Sequence, residues 1–491
     1  MAAAAAALCP ASSGDGGAGG RRSRRVLMFP LPFQGHITPM LQLADVLRSH
    51  GGFDVTIFQS AVNDADRPAR HPAAAAAGYR FVTVGAGVAA ALAETVPSKG
   101  TNSDFAGIIL RMNELLRAPF EDSLREVLAE DAGGDDTPAP PCLVVDSTLR
   151  GMQEVASRLG VPTLSLRTGG AACLVAYMAV PELSDKGVLP PPSRDPLQLD
   201  MPLTELPPLR LRDMLFSATS THATMAACFE CIIESIRCSS GVIFNTFDDL
   251  ESSELQKIAG GLSVAVYAIG PLHKISAGLE SSLLTQDRSC LEWLDNLEAE
   301  SVLYVSFGSL ASMDADELLE TAWGLANSRV PFLWVIRPNS VVQGSGSQQE
   351  QVSLPDGFEE ATRGRGMVVS WAPQQDVLRH RAVGGFWTHN GWNSTLESIC
   401  DGVPMMCRPQ FADQMINARY VEEVWKVGFQ LEGKLERGVI QAAATKLLRM
   451  EEGREMRRRA KHFKDRAAVS TENGGSTKAA ISMLVDLIKS L

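Results

Sequence analysis

Trp371 to Gln414 reads WAPQQDVLRHRAVGGFWTHNGWNSTLESICDGVPMMCRPQFADQ. Val383 to Trp387, an apolar run holding a glycine pair, suits a buried parallel strand, and Thr395 to Cys400 begins a helix that Gly402 and Pro404 close. The polar residues between them therefore fall on a strand-to-helix turn. Such a turn aims unpaired backbone N–H groups and the positive end of the helix dipole above the sheet, a natural seat for a diphosphate. His389, Asn393 and Ser394 add side-chain donors there. Trp371 offers a flat apolar face to a base, and Glu397, one helical turn beyond Ser394, offers a carboxylate to ribose hydroxyls. Ser394-Thr395-Leu396-Glu397 is also a capping box, in which both side chains would only satisfy the helix start.

Working outward, the stretch belongs to the second of two similar halves. In the first, Arg25 to Pro30 is strand-like, Leu31 to Thr38 follows it, and a helix begins at Pro39 with Met40, Leu43, Ala44 and Leu47 as its apolar face and Gly51 as its end. Strand-like runs recur at Phe53 to Phe58, Tyr79 to Val84, Cys142 to Val145, Thr163 to Leu166 and Gly241 to Phe244, with helical patterns between several of them. After Tyr267 to Pro271, the polar, aperiodic stretch 273–289 reads as an interdomain linker. The pattern then restarts at Val302 to Phe307, Phe332 to Ile336, Met367 to Val369 and Val383 to Trp387, with a mobile loop over Val341 to Glu350. Alternating strands and helices predict α/β architecture, here two facing Rossmann-like domains with ligands in the crevice at the carboxyl ends of the strands. The expected division is 1–24 disordered, 25–272 first domain, 273–289 linker, 290–470 second domain and 471–491 a C-terminal helix.

Composition narrows the partners. At 491 residues the chain can hold two cores, and a net charge of −12 argues against a nucleic-acid or anionic-membrane surface. No run of about 18 apolar residues occurs, so no membrane span is expected. The first 24 residues are Ala- and Gly-rich; Arg21, Arg22, Arg24 and Arg25 admit an organelle transit peptide, against which the low serine content counts. Nine scattered cysteines point to a reducing compartment, and the sole CxxC, Cys228 to Cys231, lacks the second pair that zinc would need. A cytoplasmic monomer is the expectation.

His36, just before a helix start, feels the positive dipole end, which favours a neutral ring able to accept a proton. Asp146 ends a strand and so places a carboxylate at the sheet edge where a ligand would lie; its competing role is to cap the segment after Ser147. Ser306-Phe307-Gly308-Ser309 ends another strand in a small-residue turn, with Gly308 permitting close backbone approach and Ser309 able to bond a phosphate oxygen. Asp413 and Gln414 can together grip adjacent sugar hydroxyls, since a carboxylate accepts two hydrogen bonds and an amide both donates and accepts. Decoys exist. Gly85-Ala86-Gly87 follows the third strand rather than the first, and the DxD sequences Asp64-Ala65-Asp66 and Asp314-Ala315-Asp316 read as an exposed turn and a capping box, so no metal is expected.

The 371–414 stretch, with Trp371, His389-Asn390-Gly391-Trp392-Asn393-Ser394, Glu397 and Asp413-Gln414, resembles the signature box of plant glycosyltransferases that use UDP-sugars, and the similarity extends over nearly everything after Arg25. The opening PFQGHITPM looks closest to the branch acting on benzoxazinoids, cytokinins and diterpenoids. The resemblance implies a GT-B fold whose C-terminal helix, near Leu484, returns to the first domain. It implies inverting transfer of glucose from UDP-glucose to a small lipophilic acceptor, with His36 as base and Asp146 orienting it. UDP would be held by Ser309, Trp371, Ala372, Gln374, His389, Asn393, Ser394 and Glu397, and the sugar by Thr168, Trp392, Asp413 and Gln414. A catalytically silent UDP-sugar-binding protein is the alternative. Relatives preferring UDP-galactose often carry histidine where this chain has Gln414.

Overall fold

A computed structural model describes residues 24–61, 78–95, 104–131, 140–276, 285–310, 313–337, 341–342 and 354–491. The first half builds a seven-stranded sheet from β1 (Arg25–Phe29), β2 (Asp54–Ser60), β3 (Arg80–Val84), β4 (Cys142–Asp146), β5 (Thr163–Arg167), β6 (Val242–Phe244) and β7 (Val266–Ala268), in the order β3-β2-β1-β4-β5-β6-β7. Every pairing in it is parallel. The second half repeats the plan. With β8 (Val302–Ser306), β9 (Met313–Asp314), β10 (Phe332–Val335), β11 (Val341–Val342), β12 (Gly366–Val369), β13 (Val383–Thr388), β14 (Met405–Cys407) and β15 (Gly428–Gln430), its six-stranded sheet runs β12-β10-β8-β13-β14-β15, and β9 pairs with β11 apart from it. Both orders reverse beside a first strand, β1 or β8, which opens a crevice above the carboxyl ends.

Period-two alternation divides the first core between two faces. Val26, Met28 and Val144 meet Met40, Leu43 and Leu47 of the helix Gln34–Gly51. They also meet Ile481, Leu484 and Ile488 of the last helix, Ser476–Ser490, which thus packs on the first sheet. Leu27, Phe29, Leu143 and Val145 face the other way, onto Met112, Leu116, Phe120 and Leu124 of the helix Phe105–Asp131. Burial on both faces explains why these strands are apolar throughout.

Three boundaries differ from the sequence reading. The first helix begins at Gln34, not Pro39, so Pro39 lies inside it. Proline has no N–H to give the carbonyl four residues back, and that carbonyl, Gly35 O, instead accepts from Asn393 Nδ2 at 3.0 Å, across the crevice. The stretch read as a linker opens with a helix, Leu272–Ile275, in which His273 is buried, and Ser289 begins another, Ser289–Asp295. The helix of the box begins at Trp392, three residues before Thr395. Asp64-Ala65-Asp66, residues 1–23 and most of the expected mobile loop lie outside the described residues.

The halves are joined by polar contacts, two of them buried. Arg419, fully buried, donates from Nε to Asp213 Oδ2 at 3.0 Å, and the indole N–H of Trp425 donates to Leu250 O at 3.1 Å. Lys274 pairs with Asp401 at 2.6 Å, and Arg466 with Asp249. Among the described residues no helix is long and apolar enough to cross a membrane. Eight cysteines are described, all free thiols; Cys228 and Cys231 are buried in the helix His222–Arg237.

Candidate active site

A cleft of about 920 Å³ separates the halves and is lined from both. On its first wall, β1 delivers the chain through Phe33 into the helix Gln34–Gly51, whose third residue is His36. Because β4 lies next to β1, Asp146 at its end reaches the same place, and His36 Nδ1 stands 2.7 Å from Asp146 Oδ2. The other carboxylate oxygen accepts from Thr148 N at 3.0 Å and Thr148 Oγ1 at 2.7 Å, so Asp146 organises its own turn as well as the imidazole. Burial pushes the Asp146 carboxyl up, but His36 and the Thr148 hydrogen bonds outweigh burial and hold it below its ordinary value. With Nδ1 so engaged, Nε2 is the nitrogen left for a ligand.

Thr168 follows β5 and stands 2.9 Å from His36 Nδ1 through its hydroxyl, so its nearest polar partner is the imidazole. Around this group the wall is apolar and aromatic: Phe33, Phe105, Tyr177, Phe216 and Phe229 line it. Phe105 stacks on Phe411 of the second half, centroids 5.4 Å apart and 14° from parallel.

The second wall is built by the box. Because the helix Trp392–Asp401 starts at Trp392 with Gly391 before it, Ser394 sits at its third position and makes no cap. The capping-box alternative is therefore replaced by a side-chain network. Gln374 Nε2 donates to Ser394 Oγ at 3.0 Å and to Glu397 Oε2 at 2.7 Å, while Gln375 Nε2 donates to Glu397 Oε1 at 3.1 Å. Burial raises the pKa of Glu397 despite these two amides. His389 is half-buried, with a shielded Nδ1 that has no partner, and desolvation together with the Arg337 charge lowers its pKa to about 4, so the ring is neutral. Gly308, at φ 71°, must be glycine twice over: its backbone is left-handed, and a Cβ would stand 2.6 Å from His389 Nε2. Ser309, Trp371 and Ala372 line the cleft beside it.

Other predicted residues are engaged differently from expectation. Asn393 spends its Nδ2 on Gly35 O, leaving a buried Oδ1 without a partner. Trp392 is buried and its indole N–H donates to Asn245 O at 2.9 Å, so any polar contact to a sugar falls to its backbone. Gln414 Oε1 accepts from Gln410 N at 2.9 Å and Phe411 N at 3.3 Å, which fixes the amide and leaves Nε2 as its ligand-facing end. Asp413 lines the cleft and accepts from Asn417 Nδ2 at 3.2 Å. Of the DxD pair in the described residues, Asp314 caps the helix Ala315–Ser328 through Glu317 N at 2.8 Å, but Glu317 pairs with Arg408 instead of closing a capping box.

Sequence reasoning missed Gln375, Arg167 and the Phe105–Phe411 stack. A charged residue at the end of the apolar strand Thr163–Arg167 was the available signal for the second; the third joins residues with no sequence relation.

Comparison with known proteins bears on this cleft. DIMBOA UDP-glucosyltransferase BX9 of Zea mays is 44% identical over 491 residues, covering 98% of this chain and 100% of its own. The chain belongs to the plant UDP-glycosyltransferase family. Residues 284–460, which include the box, match the family model described as UDP-glucoronosyl and UDP-glucosyl transferase. DIMBOA UDP-glucosyltransferase BX8 of Zea mays is 43% identical, with 95% of this chain and 98% of the relative covered. Among solved structures, Phytolacca americana UGT2 complexed with UDP-2fluoro-glucose and pterostilbene is 26% identical with a TM-score of 0.73, covering 94% of this chain and 99% of that one. The two-sheet architecture is thus the GT-B fold of this family, near its benzoxazinoid branch.

Proposed function

We propose that the protein transfers glucose from UDP-glucose to a hydroxyl of a small lipophilic metabolite, with inversion to a β-glucoside. The observation that carries this is the His36–Asp146 pair, 2.7 Å apart on one wall of a cleft whose other wall is the Gln374–Ser394–Glu397 network. His36 Nε2 takes the acceptor proton while the ionised Asp146 stabilises the imidazolium through Nδ1. The acceptor oxygen then bonds the anomeric carbon as the bond to UDP breaks, and the electron pair leaves on the β-phosphate oxygen. In this reading the N–H groups at the start of the helix Trp392–Asp401, with His389, Ser394 and Ser309, which line the cleft, receive that charge.

Glu397 and Trp371 take the nucleoside in this reading, and Asp413 and Gln414 the sugar. The chemistry needs no metal, since neutral donors and the helix dipole supply the charge compensation. Relatives named for DIMBOA make a benzoxazinone hydroxyl the first acceptor to try, and the aromatic wall suits a flat ring. Both walls come from one chain, which fits a monomer, and the free thiols suit the cytoplasm. Incubation with UDP-glucose and a panel of benzoxazinones, phenols, hormones and terpenoids, followed by UDP release and the mass of an added hexose, tests the proposal. Tight UDP-glucose binding with no transfer across the panel would favour the silent binder instead.

A further inference from the structure

The mechanism above gives no task to a buried cation in the cleft wall. Arg167, the last residue of β5, is 5% exposed and lines the cleft. Its guanidinium carbon lies 5.3 Å from the centroid of the Tyr177 ring, and an Nη2 lies 3.9 Å from Cys173 Sγ; its Nε has no hydrogen-bond partner. These are weak partners for a charge taken out of water, which ordinarily demands a direct ion pair. Burial works against its ionisation, and among the groups around it Asp413 and Asp146 are the carboxylates whose charge favours the guanidinium.

Asp413 is the carboxylate that shares this corner of the cleft. Gly169 lies against both side chains: a Cβ there would lie 2.9 Å from Arg167 Nη2 and 3.4 Å from Asp413 Oδ2. Any side chain at that position would intrude on the guanidinium, so the glycine keeps the space between charge and carboxylate open. Asp413 needs such help, because burial pushes its carboxyl up, and Arg167 opposes that more strongly than Asn417 or His36 does. We propose that Arg167 is a positioning residue for the donor sugar: across Gly169 it holds Asp413 as a carboxylate able to accept two hydroxyl hydrogen bonds, without itself touching the sugar. The proposal rests on the reading of Asp413 as a sugar-binding group.

The titratable groups facing this pair are Asp146, His36, Tyr177, Cys173 and Cys228. Burial pushes the tyrosine and both thiols up, so they stay neutral across an assay range of pH 5 to about 8. Losing Arg167 therefore raises the Asp413 pKa further, and the grip on the sugar should fail at a higher pH than in the wild type.

Calorimetry with UDP and with UDP-glucose, at pH values from about 5 to 8, tests this without requiring turnover. Arg167→Met should leave UDP affinity within about twofold, weaken UDP-glucose about tenfold, and move the acid-side loss of UDP-glucose binding up by about one pH unit. Arg167→Lys should recover most of the loss. Gly169→Ala should reproduce the Met variant if that variant folds poorly, and in an Asp413→Asn background Arg167→Met should add nothing further. UDP weakening in step with UDP-glucose, an unmoved pH dependence, or full additivity with Asp413→Asn would overturn the proposal. A wild type that binds UDP-glucose and shows these shifts but transfers nothing would refute the transferase reading alone.

Discussion

The two walls of the cleft are built in opposite ways. On the nucleotide side, Gln374, Ser394 and Glu397 hold one another within a single stretch of chain, so the network forms wherever β13 and the helices on either side of it, Gln374–Arg379 and Trp392–Asp401, form. On the acceptor side, His36 meets Asp146 over 110 residues of sequence and Thr168 over 132, and only the neighbouring β1, β4 and β5 bring them together. The nucleotide wall is a local structure with its own internal hydrogen bonds; the acceptor wall is a product of sheet topology. Nucleotide binding and proton transfer should therefore be separable by mutation.

The largest effect expected of that separation is His36→Ala. It removes the proposed base but touches nothing in the Gln374 network, so transfer should fall by about 10²- to 10⁴-fold while UDP affinity holds. Calorimetry with UDP beside an activity assay checks it, and a matching loss of UDP affinity would mean that the walls are not independent. The converse substitution, Glu397→Gln, should weaken UDP about tenfold at pH 8, since a ribose hydroxyl then faces a neutral amide rather than a carboxylate. The pH dependence sharpens the test. Burial raises the Glu397 pKa, so wild-type UDP affinity should decline as pH falls through that raised value, where the carboxylate gains its proton. The Gln variant has no such proton to gain, and its affinity should be flatter with pH. A variant that keeps the wild-type slope would place the titrating group elsewhere.

The same contrast governs what could be read from the sequence. Strand positions, the two α/β halves and the box were legible because buried parallel strands are apolar throughout and the box is contiguous. Helix starts were read late at both Pro39 and Thr395, because proline and a serine-led capping box are ordinary start signals. In the fold, Pro39 instead leaves Gly35 O open to Asn393, and Ser394 is turned toward Gln374. Neither outcome can be read from the helix start alone: one needs the second half in place and the other a side chain 20 residues back in the box. Arg167 and the Phe105–Phe411 stack were illegible for the same reason, since their partners are set by how two sheets face each other.

A smaller effect lies where the walls meet. Backbone N–H groups of Gln410 and Phe411 fix the Gln414 amide, so the N–H donor that its Nε2 turns toward the cleft has a fixed direction. A sugar with its 4-hydroxyl inverted would leave that buried donor unpaired, at a cost of about 1–3 kcal/mol. UDP-glucose should then be preferred to UDP-galactose by roughly tenfold in kcat/KM, and Gln414→His should narrow the ratio. Equal use of both donors by the wild type would remove Gln414 from donor choice.

The smallest expected effect is that of chelation, which asks whether the nucleotide wall is self-sufficient. Enzymes that hold a diphosphate through a cation present paired carboxylates toward it. Here Asp314 is occupied as the cap of the helix Ala315–Ser328, accepting from Glu317 N, and Asp314 and Asp316 do not line the cleft. What lines the cleft is instead neutral His389, Ser394, Ser309 and the start of a ten-residue helix, all donors that the proposed mechanism turns to phosphate oxygens directly. Turnover after dialysis against excess EDTA should match the untreated enzyme. Loss of activity restored by magnesium or manganese would mean that a cation shares the diphosphate, and the nucleotide wall would then depend on an outside partner as the acceptor wall depends on its topology.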